Sequence, residues 1–120
     1  MRGLTIILTG RDAERFYSAL SIAATQVAAG GAARIFCEGL STALLADQAP
    51  ALFDSQRQTN GLPTLLELRE EARALGVTLI ACQGGMALAG LALDQLGDGV
   101  EAGGLTSVMT SLGEDRLVTL

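Results

Sequence analysis

The 120-residue chain contains no histidine. That absence removes the common zinc sites, the Ser-His-Asp and Cys-His arrangements and imidazole acid–base chemistry together. Any chemistry then falls to cysteine, carboxylates, arginine, tyrosine or backbone groups. Lysine is missing too: all eight basic residues are arginines, they are scattered, and the net charge is −5. Nucleic-acid binding is thereby excluded as an expectation, because phosphate neutralisation needs a clustered basic face. Tryptophan is absent and aromatics make up only 3% of the residues, against an apolar fraction of 49% and a mean hydropathy of +0.40. The core must be built from Leu, Ala, Val and Ile, and the apolar excess over what one small domain can hide points to burial between subunits of a homo-oligomer.

Two cysteines, Cys37 and Cys82, are too few for a disulfide scaffold, which suits a reduced, cytoplasmic setting. The N-terminal MRGLTIILTGRD reaches Arg11 and Asp12 with no small-residue cleavage site and reads as a first strand, not a signal peptide. The stretches Phe16 to Ala33 and Gly76 to Leu93 approach spanning length, but Ser, Thr, Gln and Gly dilute them, so both read as buried elements and no membrane span is expected. Length and uniform composition imply a single domain over residues 1–120.

Taken in order, Leu4 to Leu8 is an apolar strand closed by Thr9-Gly10. Asp12 can cap the next helix, whose Phe16, Ala19, Leu20, Ala23, Ala24 and Val27 fall on one face before Gly30-Gly31 stops it. Ala33 to Phe36 begins a second strand that ends at Cys37 and Glu38. Gly39 to Asp47 permits a short helix, and the polar stretch 48–61, with Pro50 and Asn60-Gly61, reads either as an ordinary surface excursion or as a partial lid near the strand ends. Pro63 at the first helical position and Gly76 just past the end bracket a helix with Leu65, Leu68, Ala72 and Leu75 on one side; its charges, Glu70 with Arg73 among them, form a solvated face. Later, Met86 to Leu93 makes a helix interrupted at Gly90, Val100 to Ala102 a short strand, Thr106 to Leu112 a helix, and Arg116 to Leu120 a last strand. Alternation of strands and helices in so short a chain means an α/β domain with a mainly parallel sheet.

The stretch Gly76 to Leu91, GVTLIACQGGMALAGL, organises the functional reading. Val77, Leu79, Ile80 and Ala81 form a run typical of a strand buried on both faces, so Cys82 emerges at the strand end where open α/β sheets place their sites. With Gln83, Gly84 and Gly85 opening a helix beside it, backbone N–H groups can approach the sulfur and favour its thiolate. The competing reading of Cys82 is a small buried hydrophobe. Cys37 reads as packing or as a rim residue. A sheet ordered 2-1-3-4-5 would put strand one between the two cysteines, about 10 Å apart and beyond disulfide reach. The same order would bring Thr9, Gly10 and Arg11 beside Cys82 as a candidate anion or partner site. Tyr17 and Glu38 are further candidate neighbours, each with a structural alternative.

These stretches resemble the DsrE/DsrF-like family of small sulfur-relay and peroxiredoxin-like proteins over nearly the whole chain. The likeness rests on RFYSALSIAATQVAAGG with Arg15, Ala19, Leu20 and Ala24, on RIFCEGL, and on VTLIACQGGMALAGL followed by Asp98-Gly99-Val100-Glu101-Ala102-Gly103-Gly104. It implies a flavodoxin-like three-layer domain with a sheet of about five strands, assembly as trimers or hexamers, and Cys82 at the position that carries a persulfide in sulfur-relay members. Gly84-Gly85 departs from members with bulkier residues there, which would widen the space around the sulfur.

Three functions follow as expectations. The first is a sulfur carrier or sulfurtransferase that takes sulfane sulfur as a persulfide on Cys82 and passes it to a partner protein. The second is a thiol peroxidase or redox sensor on the same cysteine, and the third a non-catalytic oligomeric binding module. No cofactor or metal is expected under any of them.

Overall fold

The computed structural model describes residues 1–46 and 50–120. Five strands form one sheet: β1 (Leu4–Leu8), β2 (Ala33–Cys37), β3 (Thr78–Cys82), β4 (Glu101–Gly103) and β5 (Arg116–Thr119). Every pairing is parallel, in the order β4-β3-β2-β1-β5. The expected α/β class and five-strand parallel sheet are therefore found, but the order 2-1-3-4-5 is not. Here β2 lies between β1 and β3, so the strands bearing Cys37 and Cys82 are neighbours, with Cys37 opposite Ala81. Continuous apolar runs such as LTIIL and VTLIA are compatible with any interior position of a parallel sheet, which is why they carry no information about order.

The chain steps from β1 to β4 in one direction and then returns across the whole sheet to β5. Right-handed crossovers place the helices of the outward steps on one face and the helix of the return step on the other. The two cores match that rule. The larger holds Ile6, Leu8, Ile35, Cys37, Leu79 and Ala81 of the sheet against α1 (Ala13–Ala28), α2 (Ala43–Ala46) and α4 (Leu65–Leu75). The smaller joins Ile7, Phe36 and Ile80 to Val108 of α6 (Leu105–Thr110), with Cys82 packed at its margin. Alternate residues of one strand thus serve different cores.

Local signals explain the helices. Asp12 caps α1 by accepting the Glu14 N–H at 2.9 Å, as its position before the apolar face suggests. Pro63 was expected at the first helical position of α4, but it sits one residue outside the cap. Thr64 is the cap, in a reciprocal box with Glu67, and Gly76 ends the helix at φ +104°, a conformation that costs glycine nothing. The Glu70–Arg73 pair forms on the solvated face. Gly39–Thr42 is a 3-10 turn leading into α2; residue 47 of the expected helix, and 48 and 49 of the stretch read as a surface excursion or partial lid, lie outside the described residues.

The remainder of that stretch contains α3 (Asp54–Thr59), fastened by long-range contacts. The buried Asp54 carboxylate accepts N–H groups of Ala51 at 2.8 Å and Leu65 at 3.0 Å and pairs with buried Arg57 at 3.1 Å. Arg57 also pairs with Glu14 and stacks on Tyr17 at 3.6 Å, and Tyr17 donates its hydroxyl to the Pro63 carbonyl at 2.9 Å. Tyr17 and 54–59 therefore join α1 to the start of α4, a structural role. Burial of Asp54 opposes its ionisation, but the two amides and the Arg57 guanidinium more than offset this and hold the carboxyl below the usual carboxylate range. Asp54→Ala is expected to cost about 3 kcal/mol in urea unfolding, since it strands two amides and one face of a buried guanidinium. For the folded pKa depressed relative to the unfolded one, the contribution is complete above the unfolded value of about 3.9 and is lost as pH falls through the folded value. The stability difference between wild type and Asp54→Asn should accordingly be flat above about pH 5 and shrink below about pH 4.

Candidate functional site

Cys82 is the last residue of β3 and the N-cap of α5 (Gln83–Ala89). Strand and helix share this residue, so its half-buried side chain faces the α6 side of the sheet while the first turn of α5 begins at its own carbonyl. The Gly85 N–H donates to Sγ at 3.4 Å, the sulfur occupying the place of a capping oxygen.

Of the predicted site residues, Gln83, Gly84 and Gly85 form the turn beside the sulfur, Gln83 and Gly84 exposed and Gly85 buried. The two glycines differ in purpose. A Cβ on Gly84 would meet Sγ at 3.8 Å, an ordinary contact, whereas one on Gly85 would overlap the Gly39 carbonyl oxygen and Thr42 Oγ1. Gly85 thus permits close packing of α5 on the turn after β2, and only Gly84 bears on the space around the sulfur. Thr9, Gly10 and Arg11 are not beside Cys82, because the whole of β2 intervenes between β1 and β3. Thr9 instead donates from N and Oγ1 to the Leu120 carbonyl at 2.8 and 2.9 Å; Gly10 and Arg11 are exposed. The carbonyl of Glu38 accepts from Ser41, which makes its backbone part of the turn that supports α5.

The groups that do flank Cys82 are Gly39–Thr42 on the β2 side and Gly103-Gly104 on the β4 side. Gly103 is the register partner of Cys82, and a Cβ on Gly104 would lie 3.9 Å from Gln83 Oε1. The Gly103-Gly104 pair was visible in the DGVEAGG segment, but its position opposite the cysteine required the strand order. A cavity of about 340 Å³ opens on the same face, lined by Arg34, Ile80, Glu101, Gly103, Ser107 and Val108 among others. On the surface, α5 exposes Leu88 and α6 exposes Leu105 and Met109. Among the described residues no group of three Cys, Asp or Glu side chains could hold a metal ion, and no helix is long and apolar enough to cross a membrane.

Cys37 is fully buried in the larger core, where burial pushes its thiol up to about 12. The two cysteines lie on adjacent strands yet point to opposite faces of the sheet. The expected 10 Å separation is thus replaced by a different obstacle to a disulfide: the side chains diverge across the backbone layer, and Cβ vectors that point apart cannot be bridged.

An all-parallel five-stranded sheet with helices on both faces and a cysteine at a strand-to-helix junction defines a three-layer α/β protein with a candidate thiol site. The family model described as DsrE/DsrF/DrsH-like matches residues 3–117, and the chain belongs to that family. Among solved structures it is similar to the ychN protein from E. coli, with 17% sequence identity, 100% of each chain covered and a TM-score of 0.72. That likeness concerns the fold. No curated protein matches the chain.

Alkylation of the native protein should place one label on Cys82 and none on Cys37, with the second label appearing only in denaturant. Intact-mass and peptide mass spectrometry would read the difference, and labelling of native Cys37 at a comparable rate would contradict its burial.

Proposed function

We propose that the protein carries sulfane sulfur on Cys82. The observation that supports this reading is a half-buried cysteine at a sheet edge whose sulfur accepts a backbone N–H, in a chain of a family associated with sulfur relay. The Cys82 thiolate attacks the outer sulfur of a donor persulfide R–S–SH. A new S–S bond forms at Sγ, the donor S–S bond breaks, and the donor leaves as R–S⁻. In the second step an acceptor thiolate attacks the outer sulfur of Cys82–S–SH and Cys82 leaves as the thiolate. Neither step changes the net oxidation state, so no cofactor is needed. Because Cys82 is attacker in one step and leaving group in the other, stabilisation of its anion enlarges the attacking thiolate fraction in the first and eases departure in the second.

The absence of histidine fits this chemistry, since thiolate exchange requires no imidazole. A peroxidase cycle is less well supported: Cys37 is sealed in the opposite core and is unavailable as an intramolecular resolving thiol. The exposed Leu88, Leu105 and Met109 favour burial in a homo-oligomer; trimers or hexamers are what the family resemblance implies, and the reading adds donor and acceptor proteins as transient partners and, from the lack of a disulfide scaffold, a cytoplasmic location.

Incubation with a persulfide donor should add the mass of one sulfur atom at Cys82, removable by a thiol acceptor. Cys82→Ser should abolish the gain while the protein stays folded, because serine is itself a good N-cap. No sulfur on native Cys82, or equal loading of Cys82→Ser, would reject the proposal. Light scattering should return the mass of a trimer or hexamer; a monomer at micromolar concentration would reject that part of the reading.

A further inference from the structure

Among the described residues, the hydrogen bond found at the Cys82 sulfur comes from a backbone amide and not from a charged side chain. We infer that Gly85 is the positioning residue for Cys82: its close packing on the Gly39–Thr42 turn aims its N–H at the sulfur. This rests on the reading of Cys82 as the working thiol and adds the group through which that thiol is tuned.

Three observations carry the inference. Gly85 is the residue whose N–H bonds Sγ, at 3.4 Å. It is also buried in a seven-residue helix that is otherwise mostly exposed, and a side chain there would overlap the Gly39 carbonyl oxygen and Thr42 Oγ1. The surface it packs on is itself fixed: Thr42 donates to the Cys37 carbonyl at 3.0 Å, and Ser41 donates to the Leu8 and Glu38 carbonyls at 2.9 and 2.8 Å. A chain of contacts therefore runs from the ends of β1 and β2, through two buried hydroxyls, to the amide that faces the sulfur. Packing alone would account for a glycine at this position. N-cap geometry by itself directs the amide of the third helical residue toward the capping atom; what the packing on Gly39–Thr42 adds is a fixed position for that amide. A hydrogen bond to an anion exceeds one to the neutral thiol, so the amide favours Cys82 both when it attacks and when it leaves.

The first test uses the unaltered protein. In a pH titration followed by ¹⁵N–¹H NMR, the Gly85 amide proton should move with the ionisation of Cys82, further than those of Gly84 and Met86, and should stay still in Cys82→Ser. A Gly85 resonance that ignores the titration, or moves no further than its neighbours, overturns the inference. The second test is Gly85→Ala, which must shift α5 away from the turn. It should slow sulfur transfer from Cys82 by about tenfold, the scale of one hydrogen bond to a charged group, and move the pH profile of Cys82 alkylation upward. A variant that melts at lower temperature but keeps the wild-type profile shows a structural glycine only and also overturns the inference. If the variant does not fold, the NMR titration decides. If the Gly85 amide follows Cys82 yet no persulfide forms, the positioning role stands and the sulfur-carrier reading falls.

Discussion

The hydroxyls of Ser41 and Thr42 close the carboxyl end of the sheet, and the geometry of the candidate site depends on them. Parallel strands end in carbonyls that the ladder no longer uses, and at a buried end each must find a donor. The Leu8 and Glu38 carbonyls accept the N–H groups of Glu38 and Ser41 and each takes the Ser41 hydroxyl as a second donor, while Thr42 donates to the Cys37 carbonyl. Both side chains are fully buried. The turn they hold forms a flat support without a projecting side chain at Gly39, and α5 can approach it only where it too lacks one, at Gly85. The position of the Cys82 sulfur relative to backbone donors is thus a consequence of polar satisfaction one strand away.

A second constraint is the unequal covering of the two sheet faces. The outward steps of the chain put α1, α2 and α4 on one side, while the return step leaves the six-residue α6 on the other. Cys37 falls on the thick side and Cys82 on the thin side because they occupy opposite parities of adjacent strands. Burial keeps one thiol protonated well above the ordinary range; the other sits at a margin where partners can reach it. Two cysteines of the same chain are thereby assigned different chemistry by one residue of strand register.

Much of this was legible in the residues themselves. The period of Phe16, Ala19, Leu20 and Ala23 gave the buried face of α1, and the apolar runs ending at Cys37 and Cys82 gave β2 and β3. The Thr64-x-x-Glu67 box was present to be read and marks the start of α4 more closely than Pro63 does. Strand order was not legible, because a strand buried on both faces has the same composition whichever neighbours it takes. That single gap misplaced Thr9, Gly10 and Arg11 beside the cysteine and hid Gly39–Thr42 and Gly103-Gly104, which are there. The helix α3 was hidden for a different reason. Its anchors, Asp54 and Arg57, find Glu14, Tyr17 and the Leu65 amide far along the chain, and no local period reports such contacts.

The glycine pair after the cysteine illustrates how far a residue type can be interpreted without its surroundings. Two adjacent glycines suggested room around the sulfur, and Gly84 does leave it exposed on that side. Gly85 has the opposite effect: it removes space by letting the helix close on the turn. A Cβ at the first would touch the thiol at an ordinary 3.8 Å, whereas one at the second would force the helix off the turn that positions the hydrogen-bond donor. Space beside the sulfur and its backbone hydrogen bond are therefore governed by neighbouring positions. The exposed position at Gly84 and the amide of Gly85 that meets the sulfur thus belong to one turn.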